Sequence, residues 1–346
     1  MALTSKSICT IILAYGARTE QLNRVLVGLF TQEEVSHVLV VANAVTDKTL
    51  QMLAGLKDNC DGRLEIVKSE ENIGSAGGYE LGLRTALKKP YDYFWLLDDD
   101  NLPQQGALTE LLATFSSCLQ TITQDKLVLQ SFRLSLPEIT QIVRQGCQSS
   151  LPRPASFIGF HMNNLWETFC SIWSRKGSKV CTALNNEKAY IRVNWAPYGG
   201  LFFHRDAIRT LGFPNPLFFL YADDLAYTLN FTSKGGNILL VPSSRVIDLE
   251  PVWNATGGED SSNVYRRLNI LSPTRTYYEV RNRVYLGRTM FPGHSLTYFL
   301  NKWVYLLLLG LLAIYYRRGD RFKLILRAAH DGECGQLGKQ IFENEK

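Results

Sequence analysis

Short apolar runs alternate with segments of helical spacing over residues 1–100, and this alternation constrains the fold most strongly. An alternation of this kind predicts an α/β fold with a mostly parallel, doubly wound sheet. Right-handed crossovers would place the carboxyl ends of the strands at one edge, where loops collect and ligands bind. The predicted strands lie at 8–13, 38–41, 64–67 and 91–97, and the predicted helices at 20–30, 46–56 and 77–87.

Three consecutive aspartates, Asp98, Asp99 and Asp100, close the apolar, aromatic run at 91–97. Carboxylates at the end of a buried strand repel one another, so the cluster is costly without a cation or a functional need. In an extended segment Asp98 and Asp100 point to one side and Asp99 to the other. Two carboxylates on one side favour Mg²⁺ or Mn²⁺ carrying a phosphorylated ligand. The alternative is an acidic turn that caps the helix beginning near Pro103.

A glycine-rich segment, 72–78, lies between the third predicted strand and the third predicted helix. Glycines permit close backbone approach, and the N-terminus of the following helix attracts phosphate or hydroxyl oxygens. The segment is not a P-loop, because no Gly-Lys-Ser/Thr follows, and it is not a Rossmann fingerprint, because it does not follow the first strand. An ordinary tight turn is the alternative.

A second acidic pair, Asp223 and Asp224, follows the apolar segment 218–222. Adjacent carboxylates on an apolar background are candidates for a raised pKa and for work as a general base. The alternative is an acidic helix start. His204 and His294 have no ligand spacing and are interpreted as structural or surface residues.

Composition narrows the class of protein. A formal net charge of +5 permits contact with an anionic membrane surface or phosphorylated substrates but does not require nucleic acid. The seven cysteines form no CxxC pair, so neither a disulfide framework nor a zinc site is indicated, and a reducing cytosol fits best. The N-terminus lacks the features of a signal peptide.

The C-terminal segment 295–316 is strongly apolar, and its uncharged part, 303–316, is flanked by Lys302 on one side and by Arg317 and Arg318 on the other. The uncharged part is shorter than a membrane span requires, so an interfacial helix on a membrane surface is favoured. A buried packing or oligomer contact and a true span are the alternatives. We therefore expect two domains, at 1–290 and 291–346.

Over roughly residues 7–290 the chain resembles the inverting glycosyltransferases of family 2, which have the Rossmann-like GT-A fold. Several ordered motifs carry the resemblance, and the last of them is typical of the rhamnosyltransferase and galactofuranosyltransferase branch. The motifs are Val41–Asp47 for the nucleotide, Asn72–Gly78 for the glycine loop, Leu96–Asp100 for the DxD metal motif, Pro197–Gly200 for the acceptor strand, Tyr221–Asp224 for the base, and Tyr277–Leu286 with Arg281 and Asn282.

The resemblance implies a role for each matching residue. This chain departs from the family pattern at two positions. Ala42 stands where an aspartate usually contacts the nucleotide, and Asp248 stands where many relatives have a metal-binding histidine. Asp224 would be the general base, with Asp223 beside it. The implied donor contacts are Ala14, Tyr15, Arg18, Asn43, Asn72, Gly74, Gly77, Gly78, Asp98, Asp99 and Arg281, the acceptor contacts are Tyr198, Gly199, Gly200 and Asp223, and the metal ligands are Asp98, Asp100 and Asp248.

The function implied by the resemblance is metal-dependent, inverting transfer of a sugar, with galactofuranose or rhamnose favoured. The donor would be UDP- or dTDP-linked, and the acceptor a hydroxyl of a glycan or lipid-linked intermediate in surface polysaccharide synthesis. We expect a cytoplasmic enzyme on the inner face of the cytoplasmic membrane, with an oligomer possible and no nucleic-acid partner. The alternatives are a non-catalytic sugar-binding protein and a nucleotidyltransferase. The latter would have a glycine-rich, basic loop after the first strand, and the segment 14–18 is a poor match.

Overall fold

A computed structural model describes residues 7–147, 151–163, 189–250, 265–340 and 342. The chain divides into two compact units. Of the described residues, the first unit contains 7–147, 189–216 and 223–250, and the second contains 151–163, 217–222, 265–340 and 342. The division differs from the predicted boundary at residue 290, because the helix that ends at Met290 packs with the C-terminal helices.

The first unit is built on a single mixed sheet with strand order β3-β2-β1-β4-β8-β6-β9-β5, and β7 pairs with β9. Strands β1 to β4 run parallel to one another, as do β6 and β9. Strand β8 runs antiparallel to β4 and β6, and β5 and β7 run antiparallel to β9. The predicted mostly parallel α/β sheet is confirmed. The strands are β1 Ile8–Gly16, β2 His37–Val45, β3 Leu64–Ser69, β4 Tyr93–Asp98, β5 Asn101–Pro103, β6 Leu127–Arg133, β7 Ile191–Val193, β8 Leu201–His204 and β9 Asn237–Asp248.

Helices cover both faces of this sheet, which explains why β1 is apolar along nearly its whole length. Alternate side chains of a strand point to opposite faces. Ile8 and Ile12 of β1 join one core with Leu22, whereas Cys9 and Ile11 join the other. Helices α1, α2 and α4 contribute to the first core, and α3, α5, α6 and α7 to the second. These helices are α1 Thr19–Phe30, α2 Asp47–Lys57, α3 Gly74–Ala86, α4 Ala107–Cys118, α5 Pro137–Gln145, α6 Ile208–Leu211 and α7 Asp223–Ser233.

The second unit is helical in its described part. Its helices enclose a core that includes Tyr277, Leu309 and Ile325, and a buried ion pair joins Arg267 to Glu279, with Nε 2.9 Å from a carboxylate oxygen. Burial of both partners makes this pair costly to break. The helices are α8 Pro273–Met290, α9 Ser295–Tyr315 and α10 Gly319–Glu333, preceded by a π-helical turn at Arg266–Ile270.

Two segments that were difficult to predict fall partly outside the described residues. The polar segment 252–275, with Gly257 and Gly258, has the composition of a mobile loop. This prediction is wrong over 266–270 and 273–275, which are helical, and 251–264 lie outside the description. The segment 120–190 has no clear period in the sequence, and we expect it to shape the acceptor side. Within it, residues 127–133 form β6 and 137–145 form α5. Residues 148–150 and 164–188 lie outside the described part.

Candidate active site

The aspartate triplet lies where the sheet turns from β4 into β5. Asp98 is the last residue of β4, and Asn101 begins β5 directly opposite Asp248 of β9. Asp98 and Asp100 remain partly exposed, with 35% and 14% of their side chains accessible, while Asp99 is buried. The predicted alternation of sides agrees with this pattern.

Asp99 has partners within the protein. Its carboxylate accepts hydrogen bonds from Nη1 of Arg18 and from the backbone N–H of Tyr15, each at 3.0 Å. Burial raises the pKa of Asp99 to about 6 even though Arg18 lies beside it. Asp99 therefore holds the segment after β1 against the triplet, and this placement does not support its predicted contact with the donor.

Asp248 is held by an arginine that the sequence analysis did not single out. Arg133, the last residue of β6, pairs with Asp248 through Nη2 and with Asp98 through Nη1, the latter at 3.2 Å. The amide of Asn101 donates to Asp248 at 2.7 Å and to Asp100 at 3.0 Å. The Asp248 side chain is only 1% exposed. Among the described residues, no group of three or more His, Cys, Asp or Glu could hold a metal ion, so the predicted third ligand is not supported.

The charges at this end of the sheet nevertheless favour a cation. Arg18 contacts Asp99, Asp100 and Glu250, and Arg133 contacts Asp98 and Asp248, so two guanidinium groups face five carboxyl groups. Burial, and next the charge of Asp98, raises the pKa of Asp100 to about 7. Closely spaced, incompletely neutralised carboxylate oxygens are the ligands that Mg²⁺ and Mn²⁺ prefer. The donor set formed by Asp98 and Asp100 therefore fits a divalent ion.

The glycine loop is shaped by two asparagines. Oδ1 of Asn43 accepts from the N–H of Ile73 at 2.9 Å, and Oδ1 of Asn72 accepts from the N–H of Gly74, also at 2.9 Å. Gly74 has a φ of +74°, which favours glycine. A Cβ on Gly77 or Gly78 would press on Ile73 or on the Leu13 side chain, respectively. These residues fix the start of α3 against β1, and the buried side chain of Asn43 contacts the glycine loop.

The second acidic pair lies at the start of α7. Asp223 is buried and accepts a hydrogen bond of 2.6 Å from the hydroxyl of Ser75 in the glycine loop. Burial, followed by the charge of Asp224, raises the pKa of Asp223 to about 7. Asp224 is less buried than Asp223. The glycine loop therefore lies next to the acidic pair that contains the candidate base, within the first unit. Their order in the sequence did not predict this contact.

Two tyrosines with rings in tilted contact lie between the two acidic groups. The hydroxyl of Tyr79 donates to Asp98 at 2.8 Å, and its ring lies 4.4 Å from that of Tyr198. Asp223 and Asp224 both contribute to the raised pKa of Tyr198, so its ring is close to them. The Tyr198 hydroxyl is buried and has no hydrogen-bond partner among the described residues.

Gly199 and Gly200 leave room for this arrangement. A Cβ on Gly199 would clash with the side chains of Asn101, Arg133 and Asp98, and Gly200 has a φ of +95°. The predicted acceptor glycines thus permit close packing behind the triplet.

Arg281 has a different environment from the one predicted. It lies in the second unit, is fully buried, and donates to the backbone carbonyls of Phe218 at 3.0 Å and Gly338 at 2.6 Å. Burial lowers its pKa. Because its guanidinium is satisfied by backbone oxygens, this placement does not support the predicted diphosphate contact.

The fold defines the class of protein. The structure is similar to the crystal structure of GalNAc-T7 with UDP, GalNAc and Mn²⁺, with a TM-score of 0.52 at 15% identity. The similarity covers 95% of this chain and 57% of that one. The architecture is that of the GT-A glycosyltransferases.

Sequence comparison agrees with the resemblance to family 2. Residues 9–144 match the model of glycosyl transferase family 2, and this match supports a glycosyltransferase. It is 25% identical over 284 residues to galactofuranosyltransferase GlfT1 of Mycolicibacterium smegmatis, covering 81% of this chain and 82% of that protein. It is also 25% identical over 221 residues to galactofuranosyltransferase GlfT1 of Mycobacterium tuberculosis strain H37Rv. This match covers 63% of this chain and 62% of that protein.

Proposed function

We propose that this enzyme transfers galactofuranose from a nucleotide-diphosphate donor to a hydroxyl of a glycan or lipid-linked acceptor. The observation that carries the proposal is the arrangement of two acidic groups in one unit. Asp98 and Asp100 lie at the end of β4, Asp223 and Asp224 begin α7, and the rings of Tyr79 and Tyr198 contact each other between them. The names of the two mycobacterial relatives favour galactofuranose, and rhamnose is the alternative sugar.

At the donor end, Asp98 and Asp100 would hold Mg²⁺ or Mn²⁺. When bound, such an ion neutralises negative charge on the departing diphosphate. Arg133 and Asn101 keep the carboxylates oriented through their contacts with Asp98 and Asp100. Arg18, which holds Asp99 and is 39% exposed, retains a face toward solvent from which it can approach a phosphate.

At the acceptor end, Asp224 would act as the general base. As the acceptor oxygen forms its bond to the anomeric carbon, the bond from that carbon to the diphosphate oxygen breaks, and the hydroxyl proton moves to the Asp224 carboxylate. A single displacement inverts the anomeric configuration. Asp223 and the Tyr198 hydroxyl would bind the acceptor, and their electrostatic interactions with Asp224 support this role.

A panel of UDP- and dTDP-linked sugars tests this function directly. We expect UDP-galactofuranose with Mn²⁺ to raise the melting temperature of the protein and to label a galactan or lipid-linked acceptor, and we expect chelator to abolish both effects. Transfer of rhamnose from dTDP-rhamnose instead would select the alternative donor. Binding of a nucleotide sugar without transfer to any acceptor would support a non-catalytic binding protein of the same fold.

We further propose that α9 lies on an anionic membrane surface. Within the described residues, α9 is the one helix long and apolar enough to cross a membrane by length and composition. One side of it packs in the core of the second unit through Tyr305, Leu306 and Leu309. The opposite side exposes a continuous apolar stripe, and basic residues follow at its C-terminal end. Exposed members of the stripe are Leu296, Phe299, Leu300, Trp303, Leu307, Leu311 and Ile314, and exposed basic residues are Arg317, Arg318, Lys323 and Arg327.

This arrangement favours a helix that lies in the plane of the membrane surface over one that crosses the membrane, because one side of α9 already packs against protein. We expect Leu307→Glu with Leu311→Glu to reduce flotation with phosphatidylglycerol vesicles by more than about tenfold, since each charge would enter the acyl boundary. Val27→Glu, at a position 51% exposed in the first unit, is the matched control. Unchanged flotation together with a smaller oligomer in the double variant would indicate a contact between copies of the chain instead.

A further inference from the structure

The segment 217–222 has an unusual backbone. Three of its six residues have a positive φ without being glycine: Phe219 at 63°, Tyr221 at 64° and Ala222 at 58°. Such conformations cost free energy for residues with a side chain and persist only where the surroundings enforce them. Ala222 is followed directly by Asp223 and Asp224, the first residues of α7.

Asn282 of α8 contacts this backbone and holds it in its strained conformation. It is fully buried, and its side-chain amide lies within hydrogen-bond distance of three carbonyl oxygens of the segment. These belong to Phe218 at 2.9 Å, Leu220 at 2.8 Å and Tyr221 at 2.7 Å. The two N–H groups of this single buried amide are thus shared among three carbonyl oxygens of the strained turn.

Arg281 completes this set of contacts. Its Nη2 donates to the carbonyls of Leu217 at 3.3 Å and Phe218 at 3.0 Å, and its Nε donates to Oδ1 of Asn282 at 2.9 Å. The guanidinium also lies 4.8 Å from the centre of the Tyr278 ring, which in turn packs against Phe219. The Asn282 side chain is therefore held in orientation from one side while it holds the segment on the other.

We infer that Asn282, supported by Arg281, is a positioning residue for the acidic pair at 223–224. It acts through the backbone of 217–222, whose last residue determines where α7 begins. This role replaces the diphosphate contact predicted for the Arg281 motif. The inference rests on the proposed function, in which Asp224 is the general base. A displacement of about 1 Å in a catalytic group can lower the rate about 100-fold.

Asn282→Ala tests the inference. We expect kcat to fall about 10- to 100-fold, with the donor KM and the affinity for UDP and Mn²⁺ unchanged within about twofold, because the donor contacts lie elsewhere in the chain. Hydrogen exchange of the amides at 218–222 should accelerate. Asn301→Ala is the matched control, because Asn301 is equally buried in the same unit and its amide bonds to Ala155, not to the segment.

Equal losses of kcat in Asn282→Ala and Asn301→Ala would overturn the inference, as would an unchanged kcat in Asn282→Ala. If Asn282→Ala does not fold, Ala222→Val gives the same test from the side of the segment, because a β-branched residue at φ 58° strains it locally. Ala222→Val with wild-type kcat would likewise overturn it. The proposed function fails separately: Asp224→Asn that still transfers sugar would remove the base, whatever Asn282→Ala does.

Discussion

Replacing Asp98 and Asp100 together by asparagine is expected to abolish chelator-sensitive binding of the donor nucleotide. These are the two partly exposed carboxylates of the triplet, and they have the oxygen ligands that a divalent ion prefers. Changes behind metal ligands already weaken metal binding about 10- to 100-fold, so removing both ligands should cost at least about 100-fold. Titration calorimetry with UDP, with and without Mn²⁺, measures this loss.

The same variant should change how stability depends on pH in the absence of metal. The pKa of Asp100 is raised from 3.8 to about 7, so the folded protein binds its proton more tightly than the unfolded chain does. Its contribution to the free energy of unfolding is therefore complete below pH 3.8 and is lost as the pH rises through about 7. Asp99, with a pKa of about 6, contributes with the same sign. The asparagine variant should lose less stability over this interval.

Asp206→Asn provides the control for these measurements. Its side chain is 25% exposed and pairs with His204. His204 lies opposite Tyr93, the first residue of β4, so Asp206 is at the end of β4 away from the triplet. This change should leave UDP binding unaltered. Metal-dependent UDP binding that survives in the double asparagine variant would contradict the assignment of Asp98 and Asp100.

Asp224→Asn is expected to reduce sugar transfer about 100- to 10,000-fold, which is the usual contribution of a general base. Donor binding should be unchanged, because asparagine has the same shape and the donor contacts lie at the end of β4. Transfer is measured with a radiolabelled or fluorescent acceptor, and donor binding by calorimetry. Transfer at the wild-type rate would show that another group accepts the proton.

The pH profile provides an independent check on the acidic pair. Burial and the charge of Asp224 raise the pKa of Asp223 to about 7. We therefore expect kcat/KM to fall as the pH drops below about 7, because Asp223 then gains a proton beside the base. The Ser75 hydroxyl lowers the pKa of Asp223, so Ser75→Ala should move this acidic limb to higher pH. An acidic limb at the same pH in Ser75→Ala would show that the pH profile does not report the protonation of Asp223.

Several features of the fold and site were predictable because they are local. Apolar runs such as 8–13 and the helical spacing of 20–30 follow from which side chains a strand or helix buries, and both became elements near the predicted bounds, β1 and α1. The position of Asp98 at the end of β4 follows equally from the apolar run before it. A parallel sheet then brings strand ends to one edge, so the place of the triplet was also predictable.

The partners of the acidic residues were not predictable, because they come from distant parts of the chain. Arg133 is separated from Asp248 by 115 residues and lies in a region without a clear period, yet it occupies the carboxylate predicted to ligate metal. Ser75 reaches Asp223 across 148 residues. Arg281 and Asn282 were singled out by their motif, but their contacts with 217–222 depend on how α8 packs.

The sequence by itself determined the α/β fold, the resemblance to family 2 and the positions of the acidic residues at the end of β4 and the start of α7, since these depend on local pattern and motif. Only the tertiary structure decided which carboxylates remain partly exposed and which are neutralised by arginines. It also showed that the Arg281 motif holds a strained segment before the base. The physical reason is that hydrogen bonds and ion pairs form between groups that folding brings within about 3 Å, and their separation along the chain leaves no trace in a local pattern.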